Sequence, residues 1–329
     1  MKYNKSFFPR SAVLEISNIC NLRCIHCYLD KSKRNVLGLQ VCVDVINQLS
    51  KMGCFKIVIT GGEVFLHKDI LFEIVKIAKK MDFEVTVITN LTLCTYEDIR
   101  LLKDIGLDNL NISIYGRDGD SYLRFTGRNQ DVFELKEKIL YTRKIGINIT
   151  VLSVGINSLY FDLLDLQEWC RENEVPFNIA FVIYGKESGC QLAEALSEDK
   201  MIELLMKDTK VHSSHAGNAV KRRSASDFCS AGAHTICIAA NGNVYPCANW
   251  RVKVGSIFES PLIEIWNNSK ELVRIRQSSY MDFECSKCER FDLCPVCPGI
   301  NYSTTGNAHK PSPGLCKYTS AIYKCSSKR

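Results

Sequence analysis

The chain has 329 residues, 46% of them hydrophobic and 24% charged, enough for one large domain and a smaller one around a buried core. Its 42 basic side chains against 36 acidic ones leave a formal charge of +6 with no dominant basic stripe, too weak a field to argue for nucleic acid. No apolar run approaches a membrane span and Met1 to Arg10 lacks a signal core, so the 17 cysteines are expected in a reducing cytoplasm, available to metals.

From residue 12 onward short β-rich runs alternate with amphipathic stretches, the pattern of a parallel sheet with crossover helices. Strands are expected at Ala12 to Ser17, Phe55 to Thr60, Glu84 to Thr89, Asn109 to Ile114, Asn148 to Val154 and Phe177 to Tyr184. Helices fill 38–52, 68–81, 95–105, 129–145 and 158–173, and Gly53, Gly106 and Gly146 supply left-handed caps. Six such units predict an α/β fold, a partial (β/α)6 TIM-like barrel open on one side, with an open doubly wound sheet as the alternative. After a helix at Ser197 to Met206, the polar stretch Lys207 to Asp227 reads as a linker, and its His212, His215 and Lys221-Arg222-Arg223 as solvated linker residues. The expected divisions are a barrel over 1–206, a linker over 207–228 and a cysteine-rich unit over 229–329.

In parallel barrels the chemistry sits at the carboxyl ends of the strands. Cys20, Cys24 and Cys27, spaced C-x3-C-x2-C, follow the first strand. Gly61-Gly62-Glu63 follows the second, Asn90 the third, Ser113 ends the fourth and Asn157 follows the fifth. A structural zinc site takes four protein ligands, so three thiols on one loop suit a centre with one position open, although a zinc site with a distant fourth ligand stays possible. In Gly61-Gly62-Glu63 the missing side chains let a ligand approach the backbone, and the carboxylate can accept from an ammonium group.

The triplet, with His26 inside it and Tyr28 after it, resembles the signature of the radical S-adenosylmethionine (SAM) enzymes. The resemblance implies a 4Fe-4S cluster on Cys20, Cys24 and Cys27 whose free iron chelates SAM and whose electron cleaves it to a 5'-deoxyadenosyl radical. It implies that Gly61, Gly62 and Glu63 bind the amino group of SAM, and that Ser113 and Arg124 touch its ribose and carboxylate.

Further thiols stand at Cys229, Cys247, Cys285, Cys288, Cys294, Cys297 and Cys316. Paired C-x2-C units also make zinc ribbons. Their order resembles the SPASM extension, with a closing C-x2-C where that family more often has C-x3-C. The resemblance implies two auxiliary iron-sulfur clusters of 4Fe-4S type: Cys285, Cys288, Cys294 and Cys316 on one, Cys229, Cys247 and Cys297 on the other. The fourth position of the latter is either Cys237 or open to substrate, and the apolar strand-like run around Cys237 favours the open site. Cys42 and Cys170 are expected in the core, and Cys190 is the candidate hydrogen-atom donor.

Together the two motif sets imply a radical SAM enzyme with a SPASM domain, acting on a ribosomally made precursor peptide and forming a thioether or carbon-carbon cross-link. The first strand begins about a dozen residues from Met1, so leader recognition is expected from a separate leader-binding protein or elsewhere on the chain, and reduction from a flavodoxin or ferredoxin. The alternatives are an anaerobic sulfatase maturase, a peptide epimerase, a tetrapyrrole-modifying enzyme and, outside catalysis, an iron-sulfur electron-transfer protein.

Overall fold

A computed structural model describes residues 7–30, 32–183, 185, 194–207 and 229–327. In chain order β1 (Ser11–Ser17), α1 (Leu39–Lys51), β2 (Lys56–Gly61), α2 (Lys68–Lys80), β3 (Glu84–Thr89), α3 (Tyr96–Asp104), β4 (Asn109–Ser113), α4 (Gly119–Thr126), α5 (Val132–Lys144), β5 (Asn148–Val154), α6 (Tyr160–Glu172), β6 (Phe177–Ala180) and α7 (Glu198–Lys207) form the first part. The cysteine-rich part adds β7 (Thr235–Ile238), β8 (Asn243–Tyr245), β9 (Gly255–Ser256), α8 (Leu262–Asn268), α9 (Lys270–Gln277), α10 (Pro298–Thr305) and α11 (Pro313–Ser327).

β1 to β6 run parallel in chain order, the six βα units expected of a partial barrel. The helices bury the stripes that their periodicity dictates: α2 turns Leu71, Ile74, Val75 and Ala78 onto the sheet, and α3 starts on a Thr95–Asp98 capping box. In the same core stand fully buried Leu14, Ile16, Ile57, Ile59, Val85 and Val87 of the sheet. No described helix is long and apolar enough to cross a membrane.

Two features of the sheet depart from the sequence expectation. The sixth strand stops at Ala180, four residues early, because Phe181 leaves the sheet to stack on Tyr318 at 5.2 Å and Val182 joins Ile300 and Leu315. The cysteine-rich part also enters the sheet: β7 lies parallel to β1, Ser11 opposite Thr235 and Leu14 opposite Ile238, followed by antiparallel β8 and β9. Ile236 and Ile238 thereby join the main core, and β6 and β9 become the two edges.

Candidate active site

The Cys20–Cys27 loop leaves the carboxyl end of β1 and is gripped from two sides. From β2 and the turn after it, Gly62 N–H donates to Ser17 O at 2.6 Å and Glu63 N–H to Ile19 O at 2.9 Å. From the last turn of α4, Thr126 O and Phe125 O accept from Arg23 and Ile25 N–H at 2.7 and 3.2 Å. A Cβ on Gly61 would stand 2.2 Å from Ser17 O, and one on Gly62 2.0 Å from Ile19 O. The close approach that requires both glycines is thus made by the cysteine loop's own backbone.

The Glu63 carboxylate is buried. Its Oε1 accepts from Thr89 Oγ1 at 2.6 Å and Phe65 N–H at 3.1 Å, its Oε2 from Asn90 N–H at 2.8 Å. Burial raises its pKa, and the three donors oppose the rise. The oxygens expected to meet an ammonium group therefore join the end of β2 to that of β3.

Asn90 reaches the loop itself, donating to Asn21 Oδ1 at 3.0 Å and standing 3.9 Å from Cys20 Sγ, which also accepts from Leu22 N–H at 3.3 Å. His26 stacks on Phe125 with centroids 5.2 Å apart and tilts against Tyr115 at 5.1 Å. Tyr122 on α4 is fully buried, and its hydroxyl has no hydrogen-bond partner among the described residues. Burial raises its pKa first, then the neighbouring Cys24, with Glu63 and Cys20 as lesser causes. Three thiols on one loop, two of them close to a buried hydroxyl donor, are a donor set that fits a thiolate-held iron-sulfur group. As the side chains stand, no three described His, Cys, Asp or Glu residues converge as a bound ion would draw them.

The other thiols fall into two neighbourhoods. Burial pushes Cys247 up to about 12, with Cys229 and then Cys297 adding to the rise. Backbone N–H groups are aimed at this set: Ala231 at Cys229, 3.5 Å away, Asn249 and Trp250 at Cys247, Ile300 and Gly299 at Cys297. Gly299 makes the approach possible, since a Cβ there would stand 2.7 Å from Asn249 C and O. Cys285 is raised to about 11 by burial and then by Cys294, Cys316 and Cys288. Thr319 Oγ1 lies 3.1 Å from Cys294 Sγ, and Cys288 and Cys316 are exposed.

Between the first loop and the Cys247 neighbourhood lies a cavity of about 830 Å³. His26, Tyr28, Ser113 and Tyr115 line one side, Ser153, Asn178 and Ala180 the strand ends, and Ala248, Asn249, Arg251 and Tyr302 to Thr304 the far side. Ser113 is thus on the wall. Arg124 is exposed on α4 and absent from the lining, and Asn157 is engaged elsewhere, with Ser197 N–H and Lys200 Nζ at 3.3 Å. Cys42 and Cys170 are buried, whereas Cys190, Tyr184, His212 and His215 lie outside the described residues.

Arg251 was not among the expected site residues. Its Nη2 donates to both oxygens of Glu15, at 2.8 and 2.9 Å, and Tyr28 OH donates to Glu15 Oε1 at 2.8 Å. Its guanidinium lies 5.0 Å from the Tyr28 ring centroid and 4.8 Å from that of Tyr245. A lone carboxylate in the apolar run of β1 was the one sequence sign that a cation must meet it; its position 236 residues later carried no local signal.

Cys237 belongs to the same polar knot. It is fully buried on β7, opposite Tyr245, with Arg251 Nη1 3.5 Å from its sulfur. Burial raises its pKa, then Glu15, with Cys247 a lesser neighbour. Replacement of Cys237 by Ala is expected to leave the iron content and auxiliary-cluster spectra of anaerobically reconstituted protein unchanged; lost iron would make Cys237 the fourth ligand.

Residues 14–170 match the radical SAM superfamily, and residues 229–298 match the SPASM iron-sulfur cluster-binding domain. The AdoMet-dependent heme synthase of Methanosarcina barkeri is 24% identical, over 94% of this chain and 97% of that protein. The GTP 3',8-cyclase of Aquifex aeolicus is 24% identical over 59% of this chain and 63% of its own length. Among solved structures, Streptococcus suis SuiB bound to S-adenosylmethionine superposes with a TM-score of 0.74 at 17% identity, covering 95% of this chain and 79% of that one. Native anSMEcpe with bound AdoMet gives 0.73 at 15% identity, covering 98% of each.

Proposed function

The chain carries a radical SAM domain followed by a SPASM iron-sulfur domain, and on that premise we propose that it is a peptide maturase, abstracting hydrogen from a ribosomally made precursor peptide and forming a thioether or carbon-carbon cross-link. The observation that carries this reading is the cavity's position, with His26 and Tyr28 of the first cysteine loop on one wall and the segments after Cys247 and Cys297 on the other. A substrate there meets both candidate centres. Among the described lining residues Arg251 is the one charged side chain, and Glu15 already holds it; the rest of the polar wall is hydroxyl, amide and imidazole. That wall suits a peptide's neutral amides. SuiB has been solved with its precursor peptide SuiA, a likeness of fold at 18% identity.

Iron-sulfur centres with SAM supply the electron and the hydrogen-abstracting radical when bound. In our assignment Cys20, Cys24 and Cys27 hold the first centre, Cys229, Cys247 and Cys297 an auxiliary one, and Cys285, Cys288, Cys294 and Cys316 the other. Gly61 and Gly62 seat the first loop, and Glu63 ties that seat to β3. Ser113 and Tyr115 face the cavity from the end of β4, and the aromatic walls restrict water around the reacting groups. Arg124 keeps its SAM contact only as a proposal, and Cys190 its role as hydrogen donor likewise.

The near full-length heme synthase relative favours a second reading, a tetrapyrrole-modifying enzyme. A polycarboxylate would call for several free cations on the wall, which the described lining lacks. Sulfatase-type maturation and epimerisation are further peptide outcomes.

Anaerobic co-expression in heavy water with the short reading frames beside the gene, followed by intact-mass measurement of each peptide, tests the reading. Loss of about two hydrogens indicates a cross-link and gain of about one deuterium per site an epimer. The Cys24→Ala variant is expected to abolish both the mass change and SAM cleavage; SAM cleavage that persists in it would dismiss the assignment of the first centre. Unmodified peptides together with a changed tetrapyrrole absorption would favour the second reading.

A further inference from the structure

Among the described residues β6 is an edge of the nine-stranded sheet and pairs only with β5. Pro176 O accepts from Val151 N–H at 2.8 Å and Ala180 O from Gly155 N–H at 2.9 Å, so these even-numbered positions face β5. Parallel strands alternate the direction of their backbone groups, which turns the N–H and C=O of Phe177 and Ile179 outward. No described residue forms a backbone hydrogen bond with them there. Natural sheets blunt such edges with charge, bulges or cover, yet Phe177-Asn178-Ile179-Ala180 carries no charge. Phe177 and Ile179 pack toward the main core, while Asn178 and Ala180 are exposed and line the cavity.

We propose that the precursor peptide binds as an added β-strand along the β6 edge, pairing with the backbone of Phe177 and Ile179 and sending alternate side chains into the cavity between Tyr28 and Asn249. This rests on the peptide reading above and adds to it the mode of recognition. The edge continues into the cavity wall through Asn178 and Ala180, so a strand laid there enters the chamber without a turn. Main-chain pairing also makes the site tolerant of sequence, with selection left to every second side chain. Four residues of edge are too few for a second copy of the chain to form a stable dimer by strand pairing alone.

The test uses the anaerobically reconstituted full chain with SAM and, as probes, synthetic peptides encoded by the short reading frames beside its gene. Amide exchange is read residue by residue across β6. Without peptide, Phe177 and Ile179 are expected to exchange fast while Asn178 and Ala180 are slow; with the peptide that is modified, the two fast amides slow at least about tenfold. In that peptide, single N-methylations are expected to weaken binding by roughly five- to tenfold at every second residue and little between them. Slow exchange of Phe177 and Ile179 before peptide is added would overturn the proposal, as the edge is then covered by the chain itself. Binding and modification of a peptide without this protection or this period of two would overturn it too and leave the peptide reading standing. If no peptide binds or changes mass, the peptide reading falls and the strand with it.

Discussion

Replacing Gly62 by Ala is expected to detach the first cysteine loop from its seat while the rest of the fold persists. The added Cβ would stand 2.0 Å from Ile19 O and 2.4 Å from Ile19 C, atoms of a backbone held between β1 and α4. No rotamer of a flexible side chain relieves that contact, so the loop must retreat by roughly an ångström, at a cost of about 1–3 kcal/mol or more. Because Cys20 is the residue after Ile19, the retreat carries its sulfur away from Leu22 N–H and Asn90. Misplacement on that scale at a reacting centre costs about 100-fold in rate. The expected result is SAM cleavage down by about that factor and loss of the spectral change that SAM produces in the first cluster. Iron at the cysteines from Cys229 onward should be retained, because what the added Cβ meets is the backbone of Asn18 and Ile19. Gly38, beside which a Cβ meets nothing within 4 Å, is the control position. An active Gly62→Ala protein with normal iron would mean that the loop is not seated as described.

Much of this seat was legible beforehand because it is local in sequence. The six βα units follow from hydrophobic periods of two and 3.6, whereas Cys294 and Cys297, three positions apart, stand in different neighbourhoods, a division that spacing does not give. The glycines' contact with Ser17 and Ile19 was not read, since sequence reveals that a close approach is needed but not by what; the SAM contact that the resemblance implies for Gly61, Gly62 and Glu63 stays a proposal beside it. α4 was missed because Gly119–Thr126 is eight residues of mixed polarity that read as a loop, although Asp118 caps it through Ser121. The entry of β7 into the barrel sheet was hidden for a further reason. Thr235–Ile238 is recognisable as a strand, but its partner is set by burial of Ile236 and Ile238 against a core more than two hundred residues earlier. Ser153, Asn178, Asn249 and Thr304 of the cavity wall are polar residues on four different segments, and only the fold assembles them.

The Glu15–Arg251 pair joins the barrel to the cysteine-rich part, and Arg251→Met is expected to give the larger loss of stability. Glu15 is 2% exposed and Arg251 14%, so solvent does little to screen either charge. Removing the guanidinium leaves a buried carboxylate with Tyr28 OH still donating to it, a change that costs about 3–5 kcal/mol in buried pairs. A surface pair would lose less than about 1 kcal/mol, so a urea titration distinguishes the two cases. The loss should reach the chemistry as well, because Tyr28 follows Cys27 directly and Arg251 stands on the cavity wall four residues after Cys247. Glu15→Gln combined with Arg251→Met removes both charges and is expected to recover part of the stability lost in Arg251→Met alone, through a coupling of about 1–3 kcal/mol. Recovery of stability without recovery of SAM cleavage would make Arg251 a positioning residue for the site as well as a structural one. Full additivity of the two substitutions would instead mean that the carboxylate and the guanidinium do not depend on one another, and the tie between the two parts of the chain would have to lie in the β1–β7 ladder and in contacts such as Leu262 N–H to Gln48 Oε1 and Trp266 Nε1 to Phe7 O.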